Sequence, residues 1–315
     1  MIVYKEFSSL VTDLGFSAKA LYAASNHADK HYHKVKIPKG NGGERVLSVP
    51  DTFLKSIQQK ITETLLIHEE ISEYATAYRY GASTLKNAVL HIGCTSMLKL
   101  DIKHFFDNII YPVVKEKAFP SYKYSESNRI LLALICMYKE SLPQGAPTSP
   151  AISNIIMKDF DNAVGDWCAK RHIKYTRYCD DMTFSGNINP DEVIALVRNE
   201  LGEMGLFLND KKTVFVRNGQ KKIVTGIVIN EKANIPISYR KEIRQSIYYC
   251  RKYGIAEHLK HIGIDENELS YLRRLLGKIN YVLYVNSANS EMREYKKWAL
   301  NEFGKLNSLH NVINT

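Results

Sequence analysis

Two adjacent carboxylates, Asp180 and Asp181, sit inside the strand-like run YTRYCDDMTFSG, Tyr175 to Gly186. Side chains alternate faces along a strand, so neighbouring aspartates there point opposite ways unless the chain turns between them. A carboxylate buried without a partner is costly, which puts the pair in a turn, on a cation, or both. Asp also favours turns on its own account. A third carboxylate, Asp101, closes the alternating start of MLKLDIKHFFDNI, Met97 to Ile109. Three hard oxygen donors converging on one sheet suit Mg2+, which takes one or two carboxylates per ion together with water and phosphate. Two such ions stabilise both the attacking and the leaving oxygen of a phosphoryl transfer.

The elements that must position these residues follow from periodicity and turn signals. YHKVKIPKGNGGERVLSVP, Tyr32 to Pro50, reads as a hairpin around Gly40-Asn41-Gly42-Gly43, with Lys34, Lys36, Lys39 and Arg45 on its arms. Helical spacing follows at Phe53, Leu54, Ile57, Ile61 and Leu65. LPQGAPTSPAISN, Leu142 to Asn154, is a loop feeding a helix. The aspartate run comes next, then a helix from about Pro190 to Met204 and the strand-like LFLNDKKTVF and KIVTGIVIN. From Ser238 the pattern is helical to the end. Strand, helix, hairpin, helix, strand is the order of an α+β fold, an antiparallel sheet with helices on one face, and it can bring Asp101 beside Asp180 and Asp181.

The chain has 315 residues, 45% hydrophobic and 24% charged, which is enough for a substantial core. Its longest apolar run, Ile130 to Met137, has eight residues, too short for a bilayer span. The N-terminus carries no secretion signal, so a cytoplasmic protein with no membrane partner is expected. Five dispersed cysteines form no zinc pattern and read as reduced thiols. A net charge of +10 favours a polyanionic partner. Half of that charge falls in Ile235 to Thr315, with 13 Lys and Arg against 8 Asp and Glu, a candidate nucleic-acid clamp.

Taken together, the motifs resemble those of reverse transcriptases. YCDD is similar to their Y-x-D-D, LKLDIKHFF to their first aspartate motif, LPQGAPTSP to the loop holding the incoming nucleotide, VKIPKGNGGERVLSVP to the fingers hairpin, and LNDKKTVF to the palm segment ending in a lysine. They occur in the family's order from about Val35 to Asn230. NAVLH, Asn87 to His91, and VTG, Val224 to Gly226, resemble motifs of the bacterial retron branch. Cys179 departs from the Ala usual in bacterial relatives, which bears on the nucleotide pocket. The resemblance implies a right-hand polymerase: N-terminal helices and fingers over 1–96, a palm over 97–234 with part of the fingers inserted around 110–140, and a short helical basic thumb over 235–315.

The resemblance also implies roles. Asp101, Asp180 and Asp181 would ligate two Mg2+ ions, with the Ile102 carbonyl as a further ligand. Arg45 and Lys39 would grip the triphosphate of the incoming dNTP, Phe106 would stand against a 2′-hydroxyl, and Gln144 would order the nucleotide. Lys212, with Lys211 as rival, would protonate the pyrophosphate leaving group. In the thumb, Ser238 can cap a helix that Gly254 ends, and at about 100° per residue Arg240, Arg244 and Arg251 share one face able to track a phosphate backbone. Leu269, Leu272, Leu276, Ile279 and Leu283 read as a core stripe. In STLKNAVLHIG, Leu85, Ala88, Val89 and Ile92 make an apolar stripe. Asn87 and His91 fall on the other side, where they would offer donors and acceptors to RNA.

The expected activity is a retron reverse transcriptase copying part of its own structured noncoding RNA into a short single-stranded DNA. Synthesis would start from a guanosine 2′-hydroxyl, and the product would stay joined to RNA as msDNA. The further partners implied are an effector protein of an anti-phage defence system and host RNase H for processing. The alternatives are another stand-alone bacterial reverse transcriptase, intron-like or of abortive-infection type, and a catalytically idle RNA-binding scaffold.

Overall fold

The computed structural model describes residues 3–38 and 42–313. The chain divides into two compact units, Met1–Ser83 with Thr95–Asn218, and Thr84–Cys94 with Gly219–Thr315. The elements in order are α1 Phe7–Leu14, α2 Ala18–Asn26, β1 Tyr32–Pro38, β2 Glu44–Pro50, α3 Thr52–Thr64, α4 Thr84–Val89, β3 Ser96–Asp101, α5 Tyr111–Ala118, α6 Glu126–Cys136, α7 Ser149–Ile156 and α8 Lys158–Ala169. There follow β4 Lys174–Tyr178, β5 Asp181–Gly186, α9 Pro190–Glu203, β6 Val214–Val216, β7 Ile223–Val224, β8 Ile227–Val228, α10 Ile237–Tyr253, α11 Ile255–His261, α12 Glu268–Val285 and α13 Ser290–Ile313.

The first unit is built on a four-stranded antiparallel sheet of order β4-β5-β3-β6. β5 alternates Met182 and Phe184 with Thr183 and Ser185, and all four are buried. α8 packs on β4 and α9 on α8. Leu98, Leu100, Met182 and Phe184 join Ile152, Phe160, Val164 and Val197 in one core, each fully buried side chain of this kind contributing roughly 1.5–3 kcal/mol. The basic hairpin is present as antiparallel β1 and β2, with Ile37 opposite Arg45. Lys39, Gly40 and Asn41 lie outside the described residues. α3 starts where Asp51 Oδ1 accepts from the Leu54 amide at 2.9 Å, and it buries Leu54, Ile57 and Ile61 as its spacing requires.

The second unit joins α4, the β7–β8 pair and helices α10 to α13. Gly254 ends α10 as expected, at φ 84°. Ser238 does not cap this helix: α10 begins one residue earlier, at Ile237 after Pro236. In α12 the buried set is Tyr271, Leu272, Leu275, Ile279, Val282 and Val285. Leu272 and Ile279 thus hold their expected places, while Leu276 and Leu283 are only half-buried.

The NAVLH segment overturns its helical-wheel expectation. Asn87 and His91 are 1% and 0% exposed, whereas Val89 and Leu90 are 42% and 45% exposed. The reason is length. α4 stops at Val89; the His91 amide then donates to the Ala88 carbonyl at 3.1 Å, a tighter i→i−3 turn, so the 3.6-residue period fails before His91. The Gly93 amide donates to the Ile229 carbonyl at 3.1 Å. α4 packs against β7 and β8, and VTG spans the end of β7 and the turn that follows it. Thr225, at φ 46°, donates its hydroxyl to the Thr84 carbonyl at 2.9 Å. The two retron-like motifs are therefore one packed substructure, and Asn87 and His91 belong to its interior.

Candidate active site

The aspartate pair lies at the β4–β5 turn, which answers the period-two objection. Tyr178 and Asp181 are paired across the two strands, leaving Cys179 and Asp180 as the turn. Cys179 takes φ +63°, a left-handed conformation that costs a non-glycine residue roughly 1–2 kcal/mol. The turn is held from beneath. Arg177 is fully buried; its Nη1 donates to the Cys179 carbonyl at 3.0 Å and its Nη2 to Asn154 Oδ1 at 3.2 Å. Arg177 Nε donates to Asp161 Oδ1 at 2.8 Å and Nη2 to Asp161 Oδ2 at 2.5 Å, while Tyr175 adds its hydroxyl to Asp161 Oδ1 at 2.9 Å. Burial alone would lower the Arg177 pKa, but the Asp161 carboxylate outweighs it and keeps the guanidinium charged. Tyr78 donates its hydroxyl to Cys179 Sγ at 3.3 Å. Burial, then the neighbouring Asp180 charge, pushes the Cys179 thiol up to about 12.

Across the next ladder, Asp101 at the end of β3 is paired with Asp181 at the start of β5. Directly opposed residues of an antiparallel pair project to the same face. The Ile102 amide donates to the Asp180 carbonyl at 3.0 Å, tying the turn to β3. Asp101 is 4% exposed. Its Oδ1 accepts from Asn209 Nδ2 at 3.1 Å and its Oδ2 from Lys212 Nζ at 2.7 Å. Between the two lysines that the sequence left open, Lys212 is the one seated on Asp101. Burial lowers the Lys212 pKa, but the Asp101 bond and the charges of Asp101, Asp180 and Asp181 raise it overall. The Asp181 carboxyl is raised, first by burial, then by Asp180 and Asp101, with Lys99 and Lys212 pulling the other way.

Negative charge is thus concentrated beyond what the two lysines neutralise, on hard oxygen donors, and this donor set fits a divalent cation. Among the described residues no three His, Cys, Asp or Glu side chains converge into a ready-made metal cluster, and the Lys212 ammonium holds one Asp101 oxygen.

Asp180 and Asp181 border a cleft of about 540 Å³ that is also lined by Arg45, Phe106, Gln144 and Cys179. The hairpin, Tyr78, the segment after β3, the proline-rich loop and the aspartate turn therefore meet at one opening. Phe106 is 9% exposed and tilted against Phe105. The Ser48 amide donates to the Gln144 carbonyl at 2.8 Å, docking the loop on β2. Gly145 makes that approach possible: at φ +124°, a Cβ there would lie 2.8 Å from the Ser48 carbonyl oxygen.

Two of the three thumb arginines, Arg244 and Arg251, are engaged within their own unit. Arg244 makes two hydrogen bonds to Glu291, at 2.7 and 2.9 Å, and Arg251 one to Glu294 at 3.0 Å. Arg251 also lies over the Tyr295 and Trp298 rings. The Glu291 carboxyl is lowered first by the Arg244 bond and also by Arg240. Sequence reasoning missed Arg177, Asp161 and Asn154; a charged residue within the strand run preceding YCDD was the available signal.

Residues 37–272 match the family described as reverse transcriptase (RNA-dependent DNA polymerase). The chain is 32% identical over 265 residues to the retron Ec83 reverse transcriptase of Escherichia coli, an alignment covering 78% of this chain and 81% of that one. It is 31% identical over 243 residues to the retron Ec86 reverse transcriptase of the same organism, covering 74% and 75%. Telomerase from Candida albicans bound to a telomeric RNA fragment overlays on 87% of this chain and 61% of its own at 15% identity and a TM-score of 0.46, too low to add to the assignment. The chain belongs to the reverse transcriptases, RNA-directed DNA polymerases, and among them to the retron enzymes. Among the described residues no helix is long and apolar enough to cross a membrane.

Proposed function

We propose that this enzyme copies part of its own structured noncoding RNA into a short single-stranded DNA that stays joined to RNA as msDNA. In this reading synthesis starts from a guanosine 2′-hydroxyl of that RNA. The observation that carries the catalytic part is the pairing of Asp101 with Asp181 across β3 and β5, beside a cleft bordered by Arg45, Phe106 and Gln144. The retron part draws support from the kinship to two retron enzymes and from the joint packing of the NAVLH and VTG segments. An anti-phage role, with an effector protein and host RNase H as partners, extends the reading by the same kinship.

Asp101, Asp180 and Asp181 would hold two Mg2+ ions, which when bound supply charge neutralisation for the attacking hydroxyl and the leaving pyrophosphate. Arg45, with Lys39, grips the triphosphate through charge-assisted hydrogen bonds. Phe106 walls off a 2′-hydroxyl, Gln144 orients the nucleotide from a loop fixed to β2, and Lys212, kept protonated by Asp101, gives a proton to the departing pyrophosphate. Arg240, Arg244 and Arg251 would track the phosphate backbone, the last two by exchanging glutamate partners for phosphate.

The experiment is to purify the chain with its bound nucleic acid, sequence both strands, and assay primer extension with dNTPs and Mg2+. Branched RNA–DNA and Mg2+-dependent extension are expected. Extension without any RNA-joined DNA would leave a reverse transcriptase of another kind, and no extension at all would leave an RNA-binding scaffold.

A further inference from the structure

The end of α10 and the whole of α11 form an aromatic cup within the C-terminal unit. Tyr249, Tyr253, Glu257, His258 and His261 line a cavity of about 450 Å³, within the range of small-ligand sites. The sequence builds it simply. Tyr249 and Tyr253 are four apart on α10, Gly254 turns the chain at φ 84°, and His258 and His261 are three apart on α11. Tyr249 forms the floor, its ring 12° from parallel with His258 and 21° from parallel with Tyr253.

Two observations separate this cup from ordinary packing. The first is its rim. Tyr248 and Tyr253 are each 54% exposed, and Lys252 Nζ lies 5.0 Å from the Tyr253 ring centroid and 5.7 Å from that of Tyr248. Exposed rings beside a fixed cation are what sequence-tolerant binding of single strands uses, the ring taking a base and the cation its phosphate. The second is His258. It is 5% exposed, and its Nε2 is 3.0 Å from the Tyr271 hydroxyl, but its Nδ1 is buried without a hydrogen-bond partner. Burial, and then His261, lower its pKa and favour the neutral ring. His258 thus lines the cup while keeping one polar atom without a partner, a donor or an acceptor according to tautomer, and a base edge carries both. Glu257 adds an acceptor suited to an exocyclic amine.

We propose that this cup binds one unpaired nucleobase, stacked on Tyr253 and Tyr249, its edge toward His258 and Glu257 and its phosphate toward Lys252. The strand supplying the base is the RNA the enzyme reads or the DNA it makes, and neither case depends on the carboxylates of the palm.

The test uses the full-length chain and a fluorescein-labelled single-stranded dodecamer, made once as RNA and once as DNA, with binding followed by anisotropy. Tyr253→Ala is expected to weaken binding about tenfold for at least one of the two probes, while Tyr253→Phe, which keeps the ring, stays close to wild type. The probe affected identifies the strand. Abasic substitution at each position in turn supplies the decisive comparison: at one position the wild type loses about tenfold and Tyr253→Ala loses nothing further. Unchanged binding of both probes by Tyr253→Ala overturns the proposal, as does an equal response of the two proteins at every abasic position. Asp181→Asn, assayed alongside, separates this outcome from failure of the palm assignment, because it abolishes extension and leaves the Tyr253 effect in place.

Discussion

Replacing Asp181 by Asn separates what the site does from what it costs the fold. Asp181 stands opposite Asp101 in the β3–β5 ladder, where side chains lie about 5 Å apart. Two unit charges at that distance repel by about 3 kcal/mol at an effective permittivity near 20. Asp180 adds to the repulsion, and Lys99 and Lys212 oppose it. Burial of the carboxylate together with this repulsion outweighs the two lysines, which is why the Asp181 pKa is raised. A raised carboxyl pKa means that the folded chain holds its proton more tightly than the unfolded chain. This group's contribution is therefore fully present below its ordinary value of 3.8 and is lost as pH rises through the higher folded value. Asn carries no such penalty at any pH. In chelator-containing buffer near pH 8, Asp181→Asn is expected to melt about 2–4 °C above wild type, with the gap closing toward pH 4, while primer extension is abolished. Adding Mg2+ should raise the wild-type Tm and leave the variant unmoved. Scanning calorimetry across pH, paired with primer extension, checks both halves. A variant that melts below wild type at pH 8 without metal, or that extends primers at the wild-type rate, would refute this reasoning.

Arg177→Ala strands the buried Asp161 carboxylate and should cost about 3–5 kcal/mol in urea unfolding, with Asp161→Asn added in the same chain recovering part of it. Phe106→Ala should raise ribonucleotide incorporation relative to deoxynucleotide in a competition assay; unchanged discrimination with normal DNA synthesis would remove Phe106 from the sugar pocket. Given their burial, Asn87→Ala and His91→Ala should lower Tm and reduce extension of generic templates and of the cognate RNA in parallel, and a loss confined to the cognate RNA would argue for direct recognition.

Features written in local sequence were legible. The YCDD turn, the hairpin arms, the helix after Asp51 and the stop at Gly254 each depend on residues within a few positions of one another, and all four appear where those residues put them. Features fixed by distant partners were not. A helical wheel places Arg244 and Arg251 on a face but cannot show that Glu291 and Glu294, more than forty positions later, will meet them. The wheel failed outright for NAVLH, because a helix that ends at Val89 is too short to hold a period and the β7–β8 turn decides which side is covered. Arg177 was passed over for a related reason: its meaning lies in Asp161 and Asn154, which arrive from α8 and α7. The cleft itself needed five separate stretches, and four of them were connected in the sequence only by their shared family order, while Tyr78 belonged to none of the motifs.

The packing of Thr84–Cys94 with Gly219–Thr315 makes the C-terminal unit discontinuous. Its closure joins Thr84 to Thr225 across 141 positions, so during synthesis α4 leaves the ribosome long before its partners exist. Thr95–Asn218, the larger part of the aspartate-bearing unit, is made in the interval. That order sets a rule for dissecting or recombining the enzyme. A fragment starting at Gly219 lacks the helix that covers β7 and β8, and a chimera that exchanges only Gly219–Thr315 with a relative pairs a foreign VTG turn with the resident NAVLH. Grafts that carry both segments together keep the unit whole, and cut points just before Thr84, just after Cys94 and at Asn218 follow the boundary that the chain itself crosses three times.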